Sequence, residues 1–210
     1  MVIFDMDGTL IKDRSIFILS EKLSFKQKLL SSIKNNKQPY EKTIEIAQFL
    51  KGIDHRKCIK IFQSIPMHQN IDHLIKIIKE KKITTAIATD SYQFLANDLK
   101  QRLHVDYAYA NNLIIQENII TGNIEIHNKN LKRCDNGKIY SICKEDVLEQ
   151  LCTDLHIKAE NVIAIGDGLV DIGMIKKAGL GIAFNAPEEV QRHADICVND
   201  FNTISNYIKR

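Results

Sequence analysis

The sequence lacks long apolar runs, and none approaches the roughly 20 residues that span a bilayer. Two carboxylates, Asp5 and Asp7, also occupy the place where a signal peptide would carry its apolar segment. We therefore expect a cytoplasmic protein with no membrane partner. The five cysteines form no Cys-x-x-Cys pair, which favours free thiols in a reducing compartment over a disulfide framework or a zinc site. The sequence also lacks a strong excess of positive or negative charge. Its net charge is +3 and its Lys and Arg residues are scattered, so we expect no nucleic-acid partner.

The composition that remains is ordinary for a globular protein, with 44% hydrophobic and 26% charged residues. A chain of 210 residues suits one domain, or one core with a modest insertion. Residues 12–66 carry helical periodicity and no convincing strand. An all-helical segment directly after one strand predicts a small cap at residues 13–69. Residues 1–12 and 70–210 would then form the core.

From residue 70 onward, helical and strand patterns alternate, which predicts an α/β fold with a mainly parallel sheet covered on both faces. Asn70 is a candidate N-cap for the first of these helices, and Pro187 is a candidate N1 residue for a later one. The predicted strands are residues 83–88, 107–109, 162–165, 180–184 and 195–198, and residues 113–115 and 119–126 predict a hairpin.

Acidic residues follow the first strand, residues 2–4, at a spacing of two. Asp5 and Asp7 can face one pocket, since residues i and i+2 of a strand point the same way. Two ionised carboxylates at this distance repel each other, so a proton or a cation must neutralise one. The alternative is a simple turn at Asp7-Gly8.

Three predicted strand ends bring polar groups to the same edge of the sheet, where parallel α/β sheets bind ligands. The groups are Asp5 and Asp7, Thr89, and Asp167 with Asp171. Carboxylates, a hydroxyl and a lysine suit magnesium-assisted phosphoryl transfer. Asp5 would attack phosphorus, with Asp7 as general acid and base, and Asp5 and Asp167 as direct metal ligands.

Four segments together resemble the motifs of the haloacid dehalogenase superfamily: FDMDGTL, Thr89, Lys144 and GDGLVD. The most similar branch is that of the phosphoserine phosphatases, because YAYANNLIIQENIITGNI resembles its edge hairpin and AGLGIAFNA its strand after the last motif. The resemblance implies a Rossmann-like, doubly wound parallel sheet with a small helical cap inserted after the first strand and a β-hairpin at the sheet edge.

The same resemblance implies a role for each matching residue. Asp5 is the nucleophile, and Asp7 is the general acid/base whose backbone carbonyl is a metal ligand. Thr89 binds phosphate, and Lys144, preferred here over Lys138, steadies phosphate and nucleophile. The resemblance implies an Mg²⁺ site formed by Asp5, Asp7, Asp167 and Asp171. Asp171 would contribute by ordering the metal's water and Lys144.

The sequence departs from that branch at positions that contact the substrate's amino acid. Arg14 stands where the branch has an acidic residue, and Ile46-Ala47 where the cap supplies an arginine. Asp90-Ser91 replaces Gly-Gly, and Val170 replaces Asn. These departures weigh against L-phosphoserine as substrate. An extra anionic group would be attracted to Arg14, unless Arg14 is only a surface residue at the cap hinge.

We therefore expect a magnesium-dependent phosphatase that hydrolyses a small-molecule phosphomonoester through an aspartyl-phosphate, with Asp90 and Arg14 among its substrate contacts. Two alternatives are a phosphotransferase that uses another alcohol as acceptor and a non-catalytic phospho-ligand binder on the same fold. The protein is expected to be a monomer or a homodimer.

Overall fold

A mixed sheet crosses the molecule, in a computed structural model that describes residues 1–209. Within this range the sheet has seven strands in the order β4-β3-β2-β1-β5-β6-β7. They are β1 (Val2–Phe4), β2 (Thr85–Tyr92), β3 (Tyr107–Gln116), β4 (Ile119–Glu125), β5 (Ile163–Gly166), β6 (Leu180–Phe184) and β7 (Ile196–Val198). Neighbouring strands are parallel except β3 and β4, which confirms the α/β class and the hairpin at the sheet edge.

Helices cover both faces of this sheet. They are α1 (Ser15–Lys22), α2 (Lys26–Lys34), α3 (Pro39–Phe49), α4 (His55–Gln63), α5 (Ile71–Glu80), α6 (Gln93–Leu103), α7 (Lys144–Asp154), α8 (Ile172–Lys177), α9 (Glu188–Gln191) and α10 (Phe201–Lys209). None of these helices of residues 1–209 is long and apolar enough to cross a membrane.

Side-chain alternation along β1 places the sheet between two apolar layers. Val2 and Phe4 belong to the core cluster that includes Leu74 of α5. Ile3 belongs to the opposite cluster, which includes Val147 of α7. All three β1 side chains are fully buried, as expected for a central parallel strand.

Two helix starts differ from the sequence-based expectation. Asn70 takes the predicted N-cap position of α5, but its backbone is left-handed (φ 66°) and its side chain makes no capping hydrogen bond. Asparagine tolerates this conformation better than most residues, which explains its place there. Pro187 lies one residue before α9, at the N-cap rather than N1.

The strands near the edge are longer than predicted. β2 continues through Thr89, Asp90 and Ser91 to Tyr92 with a shift of register, because this segment still pairs with β3. The predicted strand 107–109 and the first arm of the hairpin form one strand, β3. Its first half pairs with β2 and its second half with β4, so one strand serves both neighbours.

The helical insertion, α1 to α4, is tied to the edge hairpin by backbone hydrogen bonds. The Gly52 amide donates to the Ile120 carbonyl (2.8 Å), and the Ile120 amide donates to Ile53 (2.9 Å). The Gln48 side-chain amide donates to the Gly122 carbonyl (2.8 Å). The helical character of the insertion follows the prediction, while its division from the core at 13–69 stays a prediction.

Candidate active site

The carboxyl ends of β1 and β5 bring two aspartates together. Asp5 directly follows β1, and its amide donates to the Ile165 carbonyl of β5 (2.8 Å). Asp167 directly follows β5. Oxygen atoms of Asp5, Asp167 and Asp171 lie within 4.8 Å of one another. These carboxylates therefore lie together at the edge of the sheet where the sequence patterns predicted them.

Lys144 lies at the centre of this charge. It is the first residue of α7 and is fully buried, and its Nζ donates to Oδ1 of Asp5 and to Oδ1 of Asp171, both at 2.5 Å. Burial alone would lower the pKa of Lys144, but Asp171 and Asp5 raise it above the ordinary value. The ammonium therefore stays charged. Lys138, the alternative in the sequence, is exposed on the wall of the neighbouring cavity.

Asp171 uses both of its oxygens inside the protein. Oδ1 accepts from Lys144, and Oδ2 accepts from the backbone amides of Asp167 (3.0 Å) and Gly168 (2.8 Å). A Cβ at Gly166 would lie 2.4 Å from the Asp171 carboxyl carbon, so only glycine fits there. These contacts favour a positioning role for Asp171, which orients Lys144 and the loop that carries Asp167.

Asp7 is held by a residue that the sequence analysis missed. The Ser15 amide donates to Oδ1 of Asp7 (2.7 Å), and the Ser15 hydroxyl donates to Oδ2 (2.9 Å). Ser15 is the first residue of α1, where backbone amides lack helical partners and favour an anion. A serine at the start of the first helix after the Asp5/Asp7 pair was the available signal.

Burial makes both N-terminal carboxyls weak acids. It raises the pKa of Asp5 to about 7, although Lys144 acts in the opposite direction. It also raises the pKa of Asp7 to about 7 against the hydrogen bonds from Ser15. Burial raises the pKa of Asp167 as well. An acid with a pKa near neutrality is suited to giving and taking a proton during a reaction.

The donor set fits a small, hard cation. Its members are carboxylate oxygens, which magnesium prefers. Gly8 has φ +90°, and a Cβ there would lie 2.6 Å from Oδ2 of Asp167, so the absence of a side chain keeps this carboxylate in place. The Thr9 hydroxyl donates to Oδ1 of Asp167 (3.1 Å). Asp5, Asp167 and Asp171 together form an acidic group of the kind that holds a metal, and the assignment of Asp5 and Asp167 as its direct ligands stays a prediction.

The phosphate-binding candidates on β2 are placed differently from one another. Thr89 is fully buried, and its Oγ1 accepts from the Ser91 amide (3.2 Å). Asp90 is exposed, and it lines the adjacent cavity together with Ser91. The Ser91 hydroxyl lies 3.1 Å from that of Ser15. The role of Thr89 toward phosphate stays a prediction.

A cavity of about 520 Å³ opens beside Asp5 and Asp7 and runs beneath the helical insertion. Arg14 lines it, and burial would lower the pKa of this guanidinium, but Asp90, Asp167, Asp5 and Asp7 together raise it. Arg14 is exposed and electrostatically coupled to the acidic site, and its role as a substrate contact or as a surface residue at the cap hinge stays a prediction. The sequence departures at Ile46 and Val170 also line the cavity, whereas Ala47 is buried in the core.

Comparisons with known proteins agree with this architecture. A family model described as haloacid dehalogenase-like hydrolase matches residues 1–179. The phosphoserine phosphatase of Methanocaldococcus jannaschii is 30% identical over 216 residues, which cover 100% of this chain and 97% of that protein. The phosphoserine phosphatase of Campylobacter jejuni subsp. doylei is 28% identical over 100% of this chain and 98% of that protein.

Two solved structures extend the similarity to three dimensions. A phosphoserine phosphatase in the form of a phospho-aspartyl intermediate analogue superposes with a TM-score of 0.82 at 27% identity, over 98% of this chain and 97% of that chain. A substrate-bound phosphoserine phosphatase complex gives a TM-score of 0.82 at 26% identity, over 98% and 96% of the two chains.

Proposed function

This chain belongs to the haloacid dehalogenase-like hydrolases, and we propose that it is a magnesium-dependent phosphatase acting on a small phosphomonoester through an aspartyl-phosphate. It is a phosphoric monoester hydrolase that resembles phosphoserine phosphatase along its whole length. The observation that carries the proposal is the buried Lys144 ammonium between Asp5 and Asp171, beside an Asp7 that Ser15 holds by both oxygens.

Asp5 supplies the nucleophile. A carboxylate oxygen of Asp5 forms a bond to phosphorus while the bond from phosphorus to the ester oxygen breaks. Lys144 contacts the Asp5 carboxylate, and in this proposal it fixes the orientation of the nucleophile and offers positive charge to the phosphoryl oxygens. Its complete burial strengthens this interaction, because water does not screen it.

Asp7 moves the proton in both halves of the reaction. In its neutral form it donates a proton to the departing alcohol oxygen, and in its ionised form it takes a proton from the water that attacks the aspartyl-phosphate. A pKa near 7 keeps both forms accessible. Ser15 holds the carboxyl in one orientation through two hydrogen bonds, so the same group is in place for both transfers.

Asp5 and Asp167 would hold Mg²⁺, together with the backbone carbonyl of Asp7. Bound there, the ion would offset the repulsion between the Asp5 carboxylate and the anionic phosphate. Asp171 would support the ion indirectly, since its oxygens bind Lys144 and the amides of Asp167 and Gly168. Thr89 is the proposed phosphate-binding hydroxyl, and Asp90 and Arg14 are proposed substrate contacts.

The proposal is tested by phosphate release from a panel of phosphomonoesters that includes phosphoserine, sugar phosphates and nucleotides. We expect release that requires Mg²⁺ and that falls at least about 1000-fold in Asp5→Asn. Asp72→Asn, the same change on the exposed surface of α5, is the control and should keep full activity. No release from any panel member with Mg²⁺, or full activity in Asp5→Asn, would contradict the proposal.

The alternatives have separate outcomes in the same experiment. Transfer of the phosphoryl group to an added alcohol, seen as a new phosphoester, would identify a phosphotransferase. Binding of a phosphate ester without turnover would identify a phospho-ligand binder. The cytoplasmic location and the monomeric or homodimeric state stay predictions of the sequence.

A further inference from the structure

The residues of α1, α2 and α3 that line the cavity are mostly apolar. The large hydrophobic side chains among them are Ile16, Phe17, Leu29, Ile33 and Ile46. A volume of about 520 Å³ lies within the range of pockets that hold drug-sized ligands. The cavity therefore has room for a leaving group that is larger and less polar than a three-carbon amino acid.

Three cationic side chains line this cavity, and they differ in what they already bind. The Lys42 ammonium donates to the Ile33 carbonyl (2.7 Å), and that bond occupies one of its donors at the wall. Lys138 is exposed at the rim. Arg14 precedes α1 directly and lies next to Ser15, the residue that binds Asp7. Of these cations, Arg14 is the one coupled to the reacting carboxylates.

The Arg14 guanidinium is influenced by nearby carboxylates but forms no salt bridge with any of them. It is coupled to Asp90, Asp167, Asp5 and Asp7 through space, and it makes no salt bridge within 4.0 Å to any residue among 1–209. A Cβ at Gly168 would lie 3.8 Å from its Nη2, so the guanidinium lies close to the loop of Asp167. Its five N–H donors are thus available to a ligand anion.

We propose that Arg14 selects phosphomonoesters whose leaving group carries an anion on an apolar skeleton, and disfavours those that carry an ammonium. This inference rests on the proposed function. An ammonium placed beside the guanidinium would be repelled, whereas a carboxylate there would form charge-assisted hydrogen bonds. Asp90, which also lines the cavity, would favour an ammonium instead, so the test includes a variant of this residue. The apolar walls from α1 to α3 would hold the skeleton between the two anionic ends.

Three para-substituted benzyl phosphates of similar size test the inference: neutral 4-ethylbenzyl phosphate, 4-carboxybenzyl phosphate and 4-(aminomethyl)benzyl phosphate. We expect kcat/KM of the wild type to be about tenfold higher for the carboxylate than for the neutral ester, and lowest for the ammonium. Arg14→Gln should bring the three values together, and Arg14→Glu should reverse their order. Lys22→Glu makes the same charge change at the exposed far end of α1 and should preserve the wild-type order.

Each other result overturns the inference while leaving the proposed function standing. An equal loss of kcat/KM for all three esters in Arg14→Gln would assign Arg14 to the phosphate itself. A wild-type preference for the ammonium that disappears in Asp90→Asn would assign selection to Asp90. The same charge order in wild type and Arg14→Glu would show that Arg14 does not select. Absence of turnover for these esters and for the broad panel would instead contradict the proposed function.

Discussion

Asp7 links catalysis to stability, because a carboxyl with a pKa near 7 in the folded protein titrates near 3.8 when unfolded. Between these values the folded state binds more protons than the unfolded state. The contribution of Asp7 to stability is therefore complete below about pH 4 and is lost as the pH rises through about 7. The burial that makes Asp7 a useful proton donor costs stability at physiological pH.

Asp7→Asn should reveal this cost. An amide resembles the neutral carboxyl in size and can still accept from Ser15, so at about pH 4 the two proteins should have similar stability. At pH 8, without metal, the variant should be more stable than wild type by about 4 kcal/mol while losing phosphatase activity. Urea unfolding at both pH values measures the difference. A difference that does not change with pH would contradict a raised pKa for Asp7.

Gly8 is predicted to be essential for metal binding. Gly8→Ala places a Cβ against the Asp167 carboxylate and also strains a backbone with φ +90°. Gly52→Ala is the matched control, because Gly52 has φ +84° and open space around the added carbon. Backbone strain should cost both variants about 1 kcal/mol of stability, and Gly8→Ala should lose more because its Cβ also displaces the Asp167 carboxylate. Only Gly8→Ala should weaken Mg²⁺ activation, by at least about tenfold. Equal Mg²⁺ dependence in the two variants would refute this role.

Local sequence patterns were sufficient to predict where the motif residues lie. Asp5, Asp7 and Asp167 follow apolar runs that indicate buried strands, so their position at the sheet edge follows from where those strands end. Ser15 was not predicted, because its contact with Asp7 depends on how α1 returns over β1. The hydrogen bonds that occupy both Asp171 oxygens could not be predicted from the sequence either, because they depend on the close approach that Gly166 permits.

At the scale of elements, the contact between α3 and the edge hairpin holds the helical insertion over the cavity. Gly122 lies at this contact with φ +87°, and a Cβ there would be 3.0 Å from the Gln48 side chain and 3.1 Å from that of Lys51. Gly122→Ala should separate the two elements slightly. Gly137→Ala is the control, because Gly137 has φ +76° and nothing within 4 Å of the added carbon.

Hydrogen exchange measures this separation directly. The amides of Gly52 and Ile120, which bridge the insertion and the hairpin, should exchange about tenfold faster in Gly122→Ala than in wild type. In Gly137→Ala they should exchange at the wild-type rate. Equal exchange in both variants would show that the insertion does not depend on the hairpin for its position.

Individual elements were predictable where a periodic pattern was long. The apolar stripe of α5, which includes Leu74 and Ile78, specified a helix on its own. The continuation of β2 to Tyr92 was missed because Asp90 and Ser91 are typical turn residues, and pairing with β3 overrides that preference. The hydrogen bonds between the insertion and the hairpin join backbone groups that are far apart in sequence, so no local pattern could predict them.

For the whole molecule, alternating helix and strand patterns were sufficient to predict an α/β fold with a mainly parallel sheet covered on both faces, and the family resemblance implied its doubly wound form. They did not specify the strand order, because adjacency in the sheet depends on how each connection crosses it. The order places β1 between β2 and β5, which brings three distant segments of chain to one site. The identity of the substrate could not be predicted from these patterns either, because it depends on the surface that the insertion and the core form together.

The central claim is that Asp5 carries the phosphoryl group during turnover. Quenching the reaction during turnover and reducing with borohydride converts an aspartyl-phosphate to homoserine, which mass spectrometry of the N-terminal peptide locates. We predict homoserine at position 5 with substrate and Mg²⁺ present, and unmodified Asp5 when either is omitted. Phosphate release with Asp5 unmodified, or homoserine at Asp7 or Asp167 instead, would contradict the account.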